Sequence, residues 1–181
     1  MTIETKRLIL REMNENDFYT LYQILGDSEN MQHYPYPFDE IMVKSWIHRN
    51  IERYQSLGFG LWAVCLKESG EMIGDCGLTM QLINGTIKPE IGYHIRRDCQ
   101  RNGYAKESAI AVRDWTFTNT PFHVIYSYMK YTNKPSIKTA ISYGCKEVDT
   151  FEDETNLLTK VYAITRNEWL QMLNNSRPMQ L

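Results

Sequence analysis

The sequence predicts an α/β protein built on a mixed sheet with helices on both faces. Three observations predict it. Two amphipathic helical stripes follow a first strand. Three strand-like runs then succeed one another through turn signals. From Gly103 onward, helical and strand patterns alternate.

Leu8-Ile9-Leu10, continued by Arg11-Glu12-Met13, reads as the first strand. Asn16-Asp17 then caps a helix through Phe18, Leu21, Tyr22 and Leu25, which share one stripe, and Gly26-Asp27 ends it. The run from His33 to Phe38 holds two prolines at alternate positions and reads as a loop. A longer helix starts near Asp39, with Val43, Trp46, Ile47, Ile51 and Tyr54 on one face and Leu57-Gly58 as its stop. Gly60 to Leu66 is the next strand, Glu68 to Glu71 a turn, and Met72 to Met80 the antiparallel partner. Asn84-Gly85 signals a tight turn into Glu90 to Ile95, the third strand of a meander.

A helix from Gly103 to about Phe117 places the small residues Ala105, Ser108, Ala109, Val112 and Thr116 on one face, which lets it lie close to a sheet or a ligand. Val124 to Tyr128 is a further strand. Pro135 suits the first turn of a helix through Ile137, Ala140 and Ile141 that Gly144 ends. A last pair of strands closes the order β-α-α-β-β-β-α-β-α-β-β, the final one at Thr159 to Ile164.

With 181 residues and no linker or repeat, residues 1–181 are expected to form a single domain with its core at about 5–170. Twenty basic and 22 acidic residues leave a net charge of −2, which argues against a nucleic-acid partner held by bulk electrostatics. No run approaches the ~20 apolar residues a bilayer span needs, and no apolar signal core opens the chain, so a cytoplasmic protein without a membrane partner is expected. Cys65, Cys76, Cys99 and Cys145 are scattered and form no CxxC pair. Free thiols and no metal site are expected.

The segment that carries chemistry is a strand end followed by Gln100-Arg101-Asn102-Gly103-Tyr104-Ala105-Lys106-Glu107. A helix N-terminus offers unpaired N–H groups and partial positive charge, a seat for phosphate oxygens. Gly103 lets the backbone approach an anion, Ala105 keeps the first turn open, and Arg101 and Lys106 add charge. Neither GxxxxGK[ST] nor GxGxxG is present, which disfavours a nucleotide triphosphatase or a dinucleotide dehydrogenase.

Gln100 to Ala105 resembles the pyrophosphate-binding signature (Q/R)xxGx(G/A) of the GNAT superfamily of N-acetyltransferases. Glu90-Ile91-Gly92-Tyr93 looks like the splayed strand before that loop. Asn133-Lys134-Pro135-Ser136 and Tyr143-Gly144-Cys145 resemble its downstream Asn-x-x-Ser…Gly-Phe segment. Thr5 to Arg11 resembles the ribosomal-protein N-acetyltransferase branch in particular.

The resemblance implies a GNAT-type, mostly antiparallel sheet splayed between its fourth and fifth strands. It also implies transfer of an acetyl group from acetyl-CoA to a primary amine, on a protein N-terminus or a small molecule, by direct attack in a ternary complex. Carried over, Tyr93, His94 and Ile95 offer backbone groups to pantetheine. Gln100, Arg101, Asn102, Gly103, Tyr104, Ala105 and Lys106 surround the pyrophosphate, and Asn133 reaches pantetheine or caps its helix. The superfamily often places a tyrosine seven residues after this asparagine; here that position is Ala140.

Attack by an amine needs a proton acceptor, and the departing thiolate is helped by a donor. Glu90 is the candidate base and Ser136 the candidate donor, with Tyr143 behind it. Each also has an ordinary structural reading, Glu90 as an exposed strand-end carboxylate and Ser136 as a first-turn helix serine. Tyr34, Tyr36 and Trp62, with His33 and Phe38, are candidates for an aromatic acceptor slot, against ordinary packing. Glu152-Asp153-Glu154 reads as a solvated turn. A non-catalytic acyl-CoA-binding domain of the same fold is the alternative function, and a homodimer is open.

Overall fold

The computed structural model describes residues 1–154 and 157–175. In chain order these form β1 (Thr2–Glu4), β2 (Leu8–Arg11), α1 (Phe18–Leu25), α2 (Glu40–Leu57), β3 (Leu61–Leu66), β4 (Met72–Ile83), β5 (Thr86–Ile95), α3 (Tyr104–Asn119), β6 (Val124–Lys130), α4 (Lys134–Ser142), β7 (Lys146–Asp153), β8 (Leu157–Thr165) and α5 (Arg166–Asn175). The strands make one eight-stranded sheet in the order β1-β2-β3-β4-β5-β6-β8-β7. Every neighbouring pair is antiparallel except β5 and β6.

Strand alternation distributes the apolar residues over two cores. Leu61, Ala63 and Cys65 point to one face and pack with Leu21, Ile24 and Leu25 of α1 and Val43 and Ile47 of α2. Trp62 and Val64 point to the other, where Ala109, Val112 and Phe117 of α3, Ala140 of α4 and Trp169 of α5 cover them. Ser108, Ala109, Val112 and Thr116 are fully buried, so the small-residue face of α3 is what brings it down on the sheet.

Several local expectations need correction. Asp17 stands at the N-cap of α1 but makes no side-chain cap bond to it; the capping box belongs to the preceding 3-10 turn, Glu15–Asp17, where Asn14 accepts from the Asn16 N–H, and Asp17 also binds Arg11 at 2.6 Å. The meander strands run further than expected, to a tip where Asn84 (φ +47°) and Gly85 (φ +74°) make the turn. Pro89 lies inside β5, tolerated because β6 pairs with β5 only at the next residue. Glu152 and Asp153 belong to β7, not to a turn, and only Glu154 lies in one. The short, polar β1 and the terminal α5 carry no strong pattern and were not anticipated from sequence.

Candidate active site

The sheet opens at its centre. β5 and β6 share a single rung, Glu90 opposite Tyr126. Just past it the Ser127 hydroxyl, instead of a backbone N–H, donates to the Ile91 carbonyl at 2.6 Å. No further rung follows toward Ile95 and Lys130, so the strands part in a V. With β1 counted, these are the fifth and sixth strands, and the splay is the one expected between the fourth and fifth.

Alternation decides which groups of β5 face the V. The His94 N–H points toward β4, where it donates to Asp75 Oδ1 at 3.1 Å. Successive N–H groups of a strand point to opposite sides, so Tyr93 and Ile95 turn theirs toward the opening. His94 is therefore removed from the pantetheine-facing set. The Ile95 carbonyl already accepts from Gln100 Nε2 at 2.9 Å.

Beyond the wide end of the V lies the loop before α3. Gln100 and Asn102 direct their side chains to the loop and its neighbours: Gln100 also reaches Asn30 Oδ1 at 2.7 Å, and Asn102 Nδ2 donates to the Cys99 and Gln100 carbonyls at 3.2 Å. They shape the turn and leave its backbone for a ligand. Arg101 (φ +62°) and Gly103 (φ +82°) are both left-handed. No side chain caps α3, so its first N–H groups stay open. Ala105 packs on the core beneath the first turn. Arg7 clamps the loop from outside: its guanidinium binds Glu107 at 2.7 Å and the Asn102 carbonyl at 3.0 Å, and lies 4.5 Å above the Tyr104 ring. Thr5 adds a 2.6 Å bond to Glu107. Among the described residues, Arg101 and Lys106 have no acidic partner.

The other wall begins with α4. Asn133 caps it, accepting from the Ser136 N–H at 3.2 Å. Tyr93 reaches across from β5, its hydroxyl 2.9 Å from the Ser136 carbonyl and 3.1 Å from Ser136 Oγ. Burial pushes the Tyr93 phenol above its ordinary range. Tyr143 is corrected: it is fully buried with its hydroxyl 2.6 Å from Ser127 Oγ, in the core beneath the V.

Glu90 stands at the closing rung with only 8% of its surface exposed, not as a solvated strand end. It accepts from Thr79 Oγ1 at 3.2 Å. Gly92 leaves room for it: a Cβ there would lie 3.2 Å from Glu90 Oε2. Burial raises this carboxyl to about 7, against weaker lowering by Thr79, His94 and Arg53. Such a group holds and releases a proton near neutrality. Burial raises the thiols of Cys65, Cys76, Cys99 and Cys145 alike, which disfavours their thiolate forms.

The aromatic slot differs from expectation. Tyr34 is present, its hydroxyl 2.7 Å from His94 Nε2. Phe38 packs edge-on against Tyr34 and Trp46. Tyr36 is 60% exposed and outside this cluster. Trp62 is on the wrong side of the sheet, fully buried and edge-on to Trp115 of α3 at 5.0 Å, because alternation turns it away from Leu61 and Ala63. Trp46, Asp75 and the His94 side chain take its place. Two signals were available: Asp75 is a carboxylate inside an apolar strand, and His94 shares the parity of Glu90.

The fold agrees with the comparisons to known proteins. Residues 7–146 match the family model described as an acetyltransferase (GNAT) domain. The uncharacterized protein YkkB of Bacillus subtilis (strain 168) is 33% identical over 141 residues, 77% of this chain and 82% of that protein. The uncharacterized N-acetyltransferase YnaD of the same organism is 27% identical over 180 residues, 93% of this chain and 99% of that one. Among solved structures, RimL, a ribosomal L7/L12 alpha-N-protein acetyltransferase in complex with coenzyme A, shares the fold with a TM-score of 0.76 at 17% identity, over 91% of this chain and 98% of that one. The chain belongs to the GNAT family of acetyltransferases.

Proposed function

We propose that the protein transfers an acetyl group from acetyl-CoA to a primary amine by direct attack in a ternary complex, with Glu90 as the base. The observation that carries this reading is the position of Glu90: a buried carboxyl near 7 at the point where the V closes. The residues present fit acetyl-CoA, since a one-rung V leads to an uncapped helix N-terminus flanked by Arg101 and Lys106. When bound, acetyl-CoA supplies a thioester carbonyl open to attack and a thiolate that can leave.

The chain's own groups then divide the work. The N–H groups from Gly103 to Lys106 hold the pyrophosphate, with Arg101 and Lys106 neutralising it. Backbone groups of Tyr93 and Ile95 line the pantetheine path, closed on the α4 side by Asn133. Glu90 takes a proton from the amine. Ser136, bonded to the Tyr93 hydroxyl, donates toward the sulfur. The acceptor enters from the Tyr34 side, between α2 and the loop that precedes it. The clamp of Thr5 and Arg7 on Glu107 gives the N-terminal run a physical task, and that run and the fold shared with RimL support an N-terminal amine as acceptor. Thiol release from acetyl-CoA in the presence of a panel of amines, with wild type against Glu90→Gln, tests this function. Release that needs no carboxyl at 90 removes the proposed base.

A further inference from the structure

Making an amide from an ammonium takes two protons off one nitrogen. One leaves before attack, to free the lone pair, and the second leaves as the amide forms. One of the two ends on the departing thiol and the other reaches water. Glu90 carries one proton at a time.

The same face of β5 holds a second chain of proton-bearing groups. Asp75 is fully buried, and three N–H donors converge on it: the His94 backbone at 3.1 Å, His94 Nδ1 at 2.8 Å, and Trp46 Nε1 at 3.0 Å. With Nδ1–H committed to the carboxylate, the Nε2 lone pair accepts the Tyr34 O–H at 2.7 Å. Tyr34 is 42% exposed, so the chain has a buried anionic end and an end at the surface. Burial alone would lower the His94 imidazole, but Asp75 and then Glu90 hold it above its ordinary value. The charged or titratable groups facing the chain are Asp75 from β4, Glu90 and Tyr93 from β5 and Tyr128 from β6, with Arg53 from α2 facing Glu90. Burying a carboxylate–imidazole pair costs desolvation. Apolar contacts such as Phe38 on Trp46 anchor the same loop without that cost.

We propose that Tyr34, backed by His94 and Asp75, is a second catalytic proton acceptor for the amine, an inference that rests on the acetyl-transfer reading above. The Tyr34 oxygen takes the first ammonium proton as its own passes to His94 Nε2, leaving an imidazolium beside Asp75. Only N–H and O–H bonds change. The proton returns through Tyr34 to water, and Glu90 is left for the second, whose end is the thiol. Tyr34 touches the amine; His94 and Asp75 are positioning residues that act through it.

Two measurements test the chain. Nitrogen-15 histidine NMR of the ligand-free protein reads His94 directly. The expected result is the Nδ1–H tautomer with a raised midpoint that Asp75→Asn lowers by about one pH unit or more. An Nε2–H tautomer, or a midpoint indifferent to Asp75→Asn, overturns the proposal. The second measurement follows thiol release from acetyl-CoA with glycinamide as the amine. Tyr34→Phe, which keeps the ring, is expected to lower kcat about 10- to 100-fold with acetyl-CoA affinity unchanged. In Glu90→Gln an acid limb from His94 should persist. An unchanged kcat in Tyr34→Phe overturns the chain. Absence of acetyl-CoA binding in wild type instead overturns the acetyl-transfer reading, and the NMR result then judges the chain by itself.

Discussion

The two faces of β5 alternate residue by residue yet do different work. Ile91 and Ile95 pack into the core under α3 and α4. Glu90, Gly92 and His94 face α2 and the aromatic loop, and two of these three titrate. One face is apolar and fixes the strand. The other carries groups whose charge would be prohibitive in the core and is tolerable here because Thr79, Asp75 and Tyr34 satisfy them. A single strand can hold the site rigidly because the side chains of Ile91 and Ile95 anchor it in the core.

Substitutions on either face should separate chemistry from stability. The largest effect is expected from Glu90→Gln, a loss of about 100- to 1000-fold in kcat at neutral pH with acetyl-CoA affinity retained. Stopped-flow thiol release alongside calorimetry would read both. A wild-type rate would return Glu90 to a structural role. On the opposite face, Ile91→Ala is expected to cost about 2–5 kcal/mol of stability while the folded fraction keeps its turnover. Denaturant melts with activity per folded molecule check this, and a loss of kcat without destabilisation would erase the distinction between the faces.

Gly92→Ala is a smaller and sharper probe. Its Cβ would crowd Glu90 Oε2 at 3.2 Å and push the carboxyl off its seat. A drop of about 10-fold in kcat is expected, and unaltered kinetics would show that the carboxyl position does not matter. Another probe is a pH effect on stability. The folded Glu90 carboxyl is raised from 4.5 to about 7, so the native state binds the extra proton between those values. Stability from this group is therefore present at acid pH and lost as pH rises through about 7. Glu90→Gln should flatten that fall in thermal melts taken across the same window.

The strand–turn–helix proposed for the cofactor was legible in the sequence because its information is contiguous and mostly backbone. Gln100 to Lys106 spell the turn, and the structure adds that Gln100 and Asn102 brace it from within while Arg7 clamps it from outside. The cluster proposed to meet the acceptor was not legible in the same way. Asp75 meets His94 through the register of β4 and β5, and Tyr34 joins them from a loop 60 residues away in sequence. Nothing local announces such a meeting. Trp62 failed for a related reason: an aromatic residue on a strand has a parity but no sign until the helices on each face are placed. Of the two readings given for Asn133, the helix cap is the one present, its oxygen accepting from the Ser136 N–H.

The central claim is that acetyl-CoA occupies the V and the α3 N-terminus. Calorimetric titration of the purified protein with acetyl-CoA and, separately, with CoA tests it most directly, with Gly103→Asp as the control. Micromolar binding of both is expected, abolished when a carboxylate is placed at this left-handed position beside the proposed pyrophosphate seat. Folded wild-type protein that binds neither, or Gly103→Asp protein that binds both as well as wild type, would contradict it.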